Sequence, residues 1–142
     1  YIPYQINYIS LVPDGDLIEI MRSQIDATAA FLAELSEAQI EYRYAPGKWT
    51  IKEVLQHMID CERIMCYRAL RIARKDTTPL PGFEENDYAR NSNYSSRTLK
   101  DIGEEMHAIR QSTIHMVLNM DMNTLDTVGI ANGNEVTVRA HT

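Results

Sequence analysis

The feature that most constrains this chain is a helix start at Thr50. Pro46 and Gly47 break any regular structure just before it, and Thr50 and Glu53 have the Thr-x-x-Glu spacing of a capping box. In that arrangement the hydroxyl and the carboxylate each accept a hydrogen bond from a backbone N–H group that would otherwise lack a partner. We therefore predict a long helix that begins at about Ile51.

Apolar residues then recur at steps of three and four as far as about Arg74, which predicts one buried stripe along this helix. Trp49 and Val54 have the spacing of a hydrophobic staple, which would fix the angle at which the chain enters the helix. His57 lies at the edge of the stripe, so its ring can point into a bundle and bind a metal or a proton. A hydrogen-bonded packing role is the alternative, and spacing does not decide between them. The stripe consists of Ile51, Val54, Leu55, Met58, Cys61 and Met65.

Two further amphipathic helices are predicted. The earlier one spans about Asp16 to Leu35, with Asp16 as a cap candidate, and the later one spans about Arg97 to Asn119. His107 and His115 fall off the apolar stripe of the later helix and are predicted to be exposed. The two stripes consist of Leu17, Ile18, Met21, Ile25, Ala29, Leu32 and Leu35, and of Leu99, Ile102, Met106, Ile109, Thr113, Met116 and Val117.

The remaining segments are predicted to be connections. Residues 1 to 13 read as an irregular arm that packs aromatic side chains on the bundle, and residues 36 to 49 connect the first two helices. Residues 75 to 96 form a long loop with one helical turn at 84 to 88, and loops of this length often line or close a site. Asn132 and Gly133 form a turn signal between two β-capable runs, which predicts a small hairpin. The runs are Thr127 to Ile130 and Glu135 to Val138.

Several of these segments resemble one known family. The sequence from Ala45 to His57 closely resembles the DinB-like superfamily, specifically its YfiT-related metalloenzymes, as do three shorter segments that follow. A looser similarity reaches Ala140, so most of the chain is covered. The resemblance implies an all-α protein with the DinB/YfiT-like four-helix bundle, which we expect to form a single domain over residues 1 to 142. The three shorter segments are Glu62 to Arg63, Tyr67 to Leu70 and Pro79 to Phe83.

The resemblance also implies a metal site. Members of the family hold one divalent metal on three histidines, and His57 matches the first of these ligands. The other two belong to a Gly-His-x-x-His-His segment of the fourth helix, of which the sequence given contains only the first turn, near Thr137. His141 is the histidine present in that region, and we take it as a second candidate ligand in a site that the given sequence leaves incomplete. Imidazole ligands suit several transition metals, of which we expect zinc or nickel.

What the resemblance implies about function is a metal-dependent enzyme that performs thiol transfer or hydrolysis on a small electrophilic substrate. A protein-bound metal with open positions lowers the pKa of a bound water or thiol, which gives a nucleophile near neutral pH. In this interpretation Glu53 or Asp60 orients His57, and a low-molecular-weight thiol or an anionic substrate enters past the arginines of the helix. The alternative is a non-catalytic bundle that binds a small molecule or dimerises. It gains weight from the incomplete histidine set.

Composition excludes some classes of function. The net charge of −6 argues against nucleic-acid binding, which needs a clustered basic surface. No apolar run approaches the roughly 20 residues of a membrane span, and the first residues show no secretory leader, so we expect a cytoplasmic protein.

Cys61 and Cys66 project about 140° apart on one helix, which excludes a disulfide between them. A basic run on the same helix is predicted to be a solvated, ion-paired face; its members are Arg63, Arg68, Arg71, Arg74 and Lys75.

Overall fold

The structure is a computed structural model that describes residues 3 to 141. Three long helices dominate it, and a small antiparallel hairpin with short helical turns follows them. Within the described range the helices are α1 (Pro3–Ile9), α2 (Leu17–Glu34), α3 (Glu37–Ile40), α4 (Ile51–Ala73), α5 (Glu85–Asn91) and α6 (Leu99–Leu118), and the strands are β1 (Val128–Ala131) and β2 (Asn134–Thr137). Single turns of 3-10 helix lie at Tyr94–Ser96, Met122–Thr124 and Val138–Ala140.

The predicted start of α4 is confirmed in detail. The backbone N–H of Glu53 donates to Thr50 Oγ1 at 3.0 Å, and the backbone N–H of Thr50 donates to Glu53 Oε2 at 2.7 Å. The carboxylate of Glu53 also pairs with Arg43 at 2.7 Å, although only the capping box was predicted. The capping box thus fixes where α4 begins, and the pair with Arg43 ties its first turn to the preceding segment.

Helix α6 is the central element, since both α2 and α4 pack against it. Asp16 caps α2 by accepting from the backbone N–H of Glu19 at 3.0 Å, and Thr98 caps α6 by accepting from that of Asp101 at 3.1 Å. A core between the long helices is formed by Leu32, Leu55, Ile59 and Ile102. The predicted bounds of both helices are therefore correct to within two residues.

The hairpin forms as predicted and packs on the C-terminal half of α4. Asn132 and Gly133 have φ values of 50° and 73°, the left-handed conformation that a tight two-residue hairpin turn requires. Leu80 joins the edge of β1, because its N–H donates to the Ile130 carbonyl at 2.8 Å and its carbonyl accepts from the Asn132 N–H at 2.9 Å. A second core lies here, formed by Ala69, Ile72, Ala73, Leu80, Met120, Leu125, Ala131, Val136 and Val138.

Three predictions about connections need correction. Residues 3 to 9 form a helix, not an irregular arm, because proline is favourable in the first helical turn; Ile6 and Tyr8 are exposed, while Tyr1, Ile2 and the side chain of Tyr4 lie outside what the structure describes. The segment after α2 contains the extra turn α3, whose capping box of Ser36 and Gln39 was overlooked. The predicted single turn at 84 to 88 is the two-turn helix α5.

The predicted apolar stripe of α4 is correct only in part. Leu55 is buried, but Val54 is 41% exposed and Met58 is 47% exposed. The helix instead buries several polar residues, because its neighbours on that side offer hydrogen-bond partners. These residues are Lys52, Glu53, Gln56 and Arg68.

Between residues 3 and 141 no helix is both long and apolar enough to cross a bilayer.

The contact between the hairpin and α4 depends on a missing side chain at Gly129. A Cβ atom at this position would lie 2.5 Å from Ile72 Cγ1, so we expect Gly129→Ala to lower the free energy of unfolding by about 1–3 kcal/mol. Urea denaturation measures the change. Gly103→Ala is the control, because its nearest neighbour is Leu32 Cδ1 at 3.3 Å and alanine favours a helix. Equal stability of the wild type and the Gly129 variant would contradict this packing.

The ion pair at the start of α4 makes stability depend on pH. Burial, the largest single influence, raises the pKa of Glu53, but hydrogen bonds from Thr50 and Tyr94 and the charge of Arg43 outweigh it and hold the pKa below its usual value. This stabilisation is therefore complete above the unfolded pKa of about 4.5 and is lost as the pH falls through the lower, folded value.

Glu53→Gln separates the charge from the cap, because glutamine can also close a capping box. We expect the variant to be less stable than the wild type by about 1 kcal/mol at pH 7. The difference should shrink as the pH falls below 4.5, the unfolded value. Thermal or urea unfolding across pH 3 to 7 measures it. A difference that stays constant over this range would show that the carboxylate charge plays no part.

Candidate functional site

An open groove runs between α2, α4 and α6, with a volume of about 1130 Å³. It follows from the packing, because α2 and α4 both lie on α6 and leave a channel between them. Most of its surface is apolar. Its lining includes Met21, Leu32, Met58, Ile59, Cys61, Glu62, Met65, Cys66, Met106, Arg110 and His141.

His57, the first predicted metal ligand, lies beside this groove on α4. Its ring is half-buried and packs against the ring of Trp49, with the centroids 4.9 Å apart. Its Nε2 atom lies 3.3 Å from the Sγ atom of Cys61, one turn further along the helix and in the groove wall. Trp49 and Cys61 therefore restrict the orientation of the imidazole from two sides.

The proposed helpers of His57 have other partners. The carboxylate of Glu53 is engaged by Thr50 and Arg43, and Asp60 accepts from Gln56 Nε2 at 3.2 Å. Neither carboxylate is among the groups that contact the imidazole. The structure gives His57 contacts with an indole ring and a thiol instead.

The thiol of Cys61 is protonated near neutral pH. Burial, together with the charges of Asp60 and Glu85, raises its pKa to about 11, and the opposing effect of Arg68 is smaller. The thiol is thus available to His57 as a weak hydrogen-bonding group and not as an anion. Both cysteines are free, as predicted.

A polar network spans the groove wall. Arg110 of α6 donates from Nε to Glu62 Oε1 at 2.9 Å and from Nη2 to Glu62 Oε2 at 3.0 Å, a two-point contact with a carboxylate on α4. It also donates to Gln24 of α2 at 2.5 Å, so one guanidinium connects the three long helices. Thr113 donates to Glu62 at 2.7 Å and contacts Cys66 at 3.1 Å. The charged partner of Glu62 is therefore on α6 and is not an arginine of its own helix.

His141, the second predicted ligand, lies at the groove just after the turn Val138–Ala140. It is only 9% exposed, and its Nε2 atom is buried without a hydrogen-bond partner. Burial is the main reason that its pKa falls to about 4, with a further contribution from the charge of Arg68. The ring is therefore neutral near pH 7, the form in which imidazole binds a metal or shares a hydrogen bond.

Residues 3 to 141 do not complete a metal site with three ligands. In the part of the chain that the structure describes, no three histidine, cysteine or carboxylate side chains are grouped so that they could hold a metal ion. His141 lines the groove and His57 lies beside it, but they do not form such a group. Their assignment as ligands stays a prediction.

The prediction that Arg68 belongs to a solvated face is wrong. The residue is 6% exposed, and its Nη2 donates to the Pro81 carbonyl at 2.7 Å. Other members of the basic run do form ion pairs, since Arg63 pairs with Glu105 and Arg71 with Asp76. His107 and His115 are exposed, as predicted. The sequence signal for the burial of Arg68 is that Ala69 and Ile72 are close to it along the helix. In the structure these two residues belong to the core beside the hairpin.

Comparison with known proteins agrees with this architecture. The sequence matches the model of the DinB superfamily over residues 20–141. The chain belongs to the DinB superfamily. A solved structure of similar fold is YfiT from Bacillus subtilis, described as a probable metal-dependent hydrolase with an unusual four-helix bundle topology. The two are 10% identical, the match covers 92% of this chain and 78% of that chain, and the TM-score is 0.73.

At this identity the likeness to YfiT shows the fold and not the activity. The prediction of a helical protein with the DinB/YfiT four-helix bundle fold is confirmed. In this DinB protein α2, α4 and α6 are the long helices, and the turn Val138–Ala140 follows the hairpin at the predicted start of the fourth helix. No curated protein matches the sequence.

The groove wall depends on the contact between Glu62 and Arg110. We expect Arg110→Met to destabilise the fold by about 1–2 kcal/mol, because it leaves a largely buried carboxylate without its charged partner. Arg22→Met is the matched control, since the pair of Arg22 and Glu19 is exposed and should contribute at most about 0.5 kcal/mol. Urea denaturation of both variants tests this. An equal loss of unfolding free energy in the two variants would show that the contact between Glu62 and Arg110 stabilises the fold no more than an exposed ion pair does.

Proposed function

We propose that this DinB protein is a metal-dependent enzyme that acts on a small electrophilic substrate by thiol transfer or hydrolysis, with zinc or nickel as the metal. The observation that carries the proposal is the placement of His57. It matches the family position of the first ligand, its ring is held by Trp49 and Cys61, and it lies beside a groove large enough for a small molecule. Membership of the DinB superfamily and the description of YfiT as a probable metal-dependent hydrolase support it.

Each part of the groove has a distinct role in this proposal. The apolar walls receive the body of the substrate and exclude water from it. Trp49 and Cys61 keep the His57 ring in one orientation, as partners of a ligating histidine commonly do. Glu62 and Arg110 hold the walls together, and their charges neutralise one another. A cytoplasmic location and a homodimer remain predictions.

A second candidate function is supported by a different observation. The groove is mostly apolar and large enough for a small molecule, so it also suits a non-catalytic binder of small apolar molecules. The two functions differ in their need for metal. Metal content is therefore the measurement that separates them.

The test compares untagged wild-type protein with His57→Ala. We expect about one transition-metal ion per wild-type chain and at least about a tenfold lower metal affinity in the variant, because one of few ligands is lost. Elemental analysis and competition with a chelator measure this, and circular dichroism confirms that the helices remain. His115→Ala is the matched control, because that histidine is exposed at the far end of α6.

Two results would contradict the proposal in different ways. Stoichiometric metal in His57→Ala would remove His57 as a ligand while leaving a metalloprotein. Absence of metal from the wild type, even after incubation with zinc or nickel, would favour the binding function.

A further inference from the structure

Arg68 is a buried cation without a carboxylate partner. It lies on α4, is 6% exposed, and donates to the Pro81 carbonyl at 2.7 Å and to the thioether of Met65 at 3.8 Å. Among residues 3 to 141, no aspartate or glutamate forms an ion pair with it. Burial is the largest influence on its pKa and lowers it, with a smaller opposing effect from Cys61. A thioether is a weak acceptor, so most of the hydrogen-bonding capacity of the guanidinium is unused.

Burial of an unpaired charge is costly, and proteins normally pair such charges or leave them in water. The bond to Pro81 ties the segment after α4 to the helix, but a neutral amide side chain could also donate to that carbonyl. This tether therefore does not account for a positive charge at the position. The charge itself needs a partner.

A second buried group without a partner lies nearby. His141 lines the groove together with Cys61 and Met65, and its Nε2 atom is buried and makes no hydrogen bond. The turn that precedes it packs on α4, and Arg68 is close enough for its charge to contribute to the lowered pKa of the imidazole. Met65, which contacts Arg68, lines the groove as His141 does. The buried cation therefore lies behind the groove wall, near an imidazole nitrogen that has no hydrogen-bond partner.

We propose that Arg68 and His141 bind the carboxylate group of a small molecule whose apolar part lies in the groove. The guanidinium fork matches the two oxygens of a carboxylate, and an N–H of the neutral imidazole supplies a further donor. Met65, whose flexible side chain now contacts Arg68, is the group that the carboxylate would displace.

The charges around the site favour a carboxylate over phosphate. Arg68 supplies one positive charge, whereas Asp60 and Glu85 act on the adjacent Cys61 with negative charge. One negative charge is therefore matched, and a second would be repelled. The inference rests on the proposed function only in that both place the ligand in this groove, and it requires no metal.

The test uses metal-free protein at pH 7 and constant ionic strength, so that its failure differs from failure to bind metal. Sodium acetate is titrated, and the ring resonances of the histidines are followed by NMR. We expect the His141 signals to shift to saturation, while those of His115, which is exposed in the last turn of α6 and does not line the groove, stay in place. Sodium chloride should give no saturable shift. A response to chloride as strong as to acetate, or no response of His141 to acetate, would overturn the proposal.

Variants then assign the site. Arg68→Gln keeps a donor for the Pro81 carbonyl but removes the charge, and we expect it to bind acetate at least about tenfold more weakly. Arg74→Gln, on the same helix but exposed, should bind like the wild type. If Arg68→Gln does not fold, Arg68→Lys keeps the charge without the fork and should also bind more weakly. Tighter binding of inorganic phosphate than of acetate, or unchanged binding by the Arg68 variants, would contradict the assignment.

Discussion

The reciprocal hydrogen bonds between Thr50 and Glu53 are the constraint on which the rest of the structure depends. They fix where α4 begins, and α4 contacts α3, α5, α6, the hairpin and the turn before His141. The pair with Arg43 ties this first turn to the segment before the helix. Cys61 of α4 lies in the groove wall with His57 beside it, and Gln56 and Lys52 lie against the connection that follows the helix.

That connection is ordered because α4 offers it polar partners. Lys52 donates to the Ser95 carbonyl at 3.3 Å, and Gln56 accepts from Arg97 at 2.7 Å. Arg68 donates to the Pro81 carbonyl at the other end. A long connection with few apolar residues gains little from a hydrophobic core, so hydrogen bonds to buried side chains hold it in place. Polar residues on one side of α4 therefore hold the fold together, as its apolar residues do.

The groove combines an apolar body with a few polar groups that lack complete partners. Glu62 and Arg110 satisfy each other and hold the helices together, whereas Arg68 and His141 retain unused hydrogen-bonding capacity. His57 is oriented but has only a protonated thiol beside its Nε2 atom. The metal proposal depends on His57 and the carboxylate proposal on Arg68, so the two can be tested separately.

The sequence by itself determined the local structure, because caps and turns depend on residues three or four positions apart. The starts of α2 and α4 and the hairpin turn at Asn132 and Gly133 were predicted from such signals. The extent of α6 was predicted from its apolar spacing, and membership of the DinB superfamily from the resemblance of longer segments. Tertiary structure decided which side of each helix is buried. Val54 and Met58 are exposed, although their spacing matches a buried stripe. Met58 is exposed because it lines the groove that α2 and α4 leave between them. The burial of Arg68 and the pairing of Glu62 with Arg110, 48 positions away, depend on partners that no local pattern identifies.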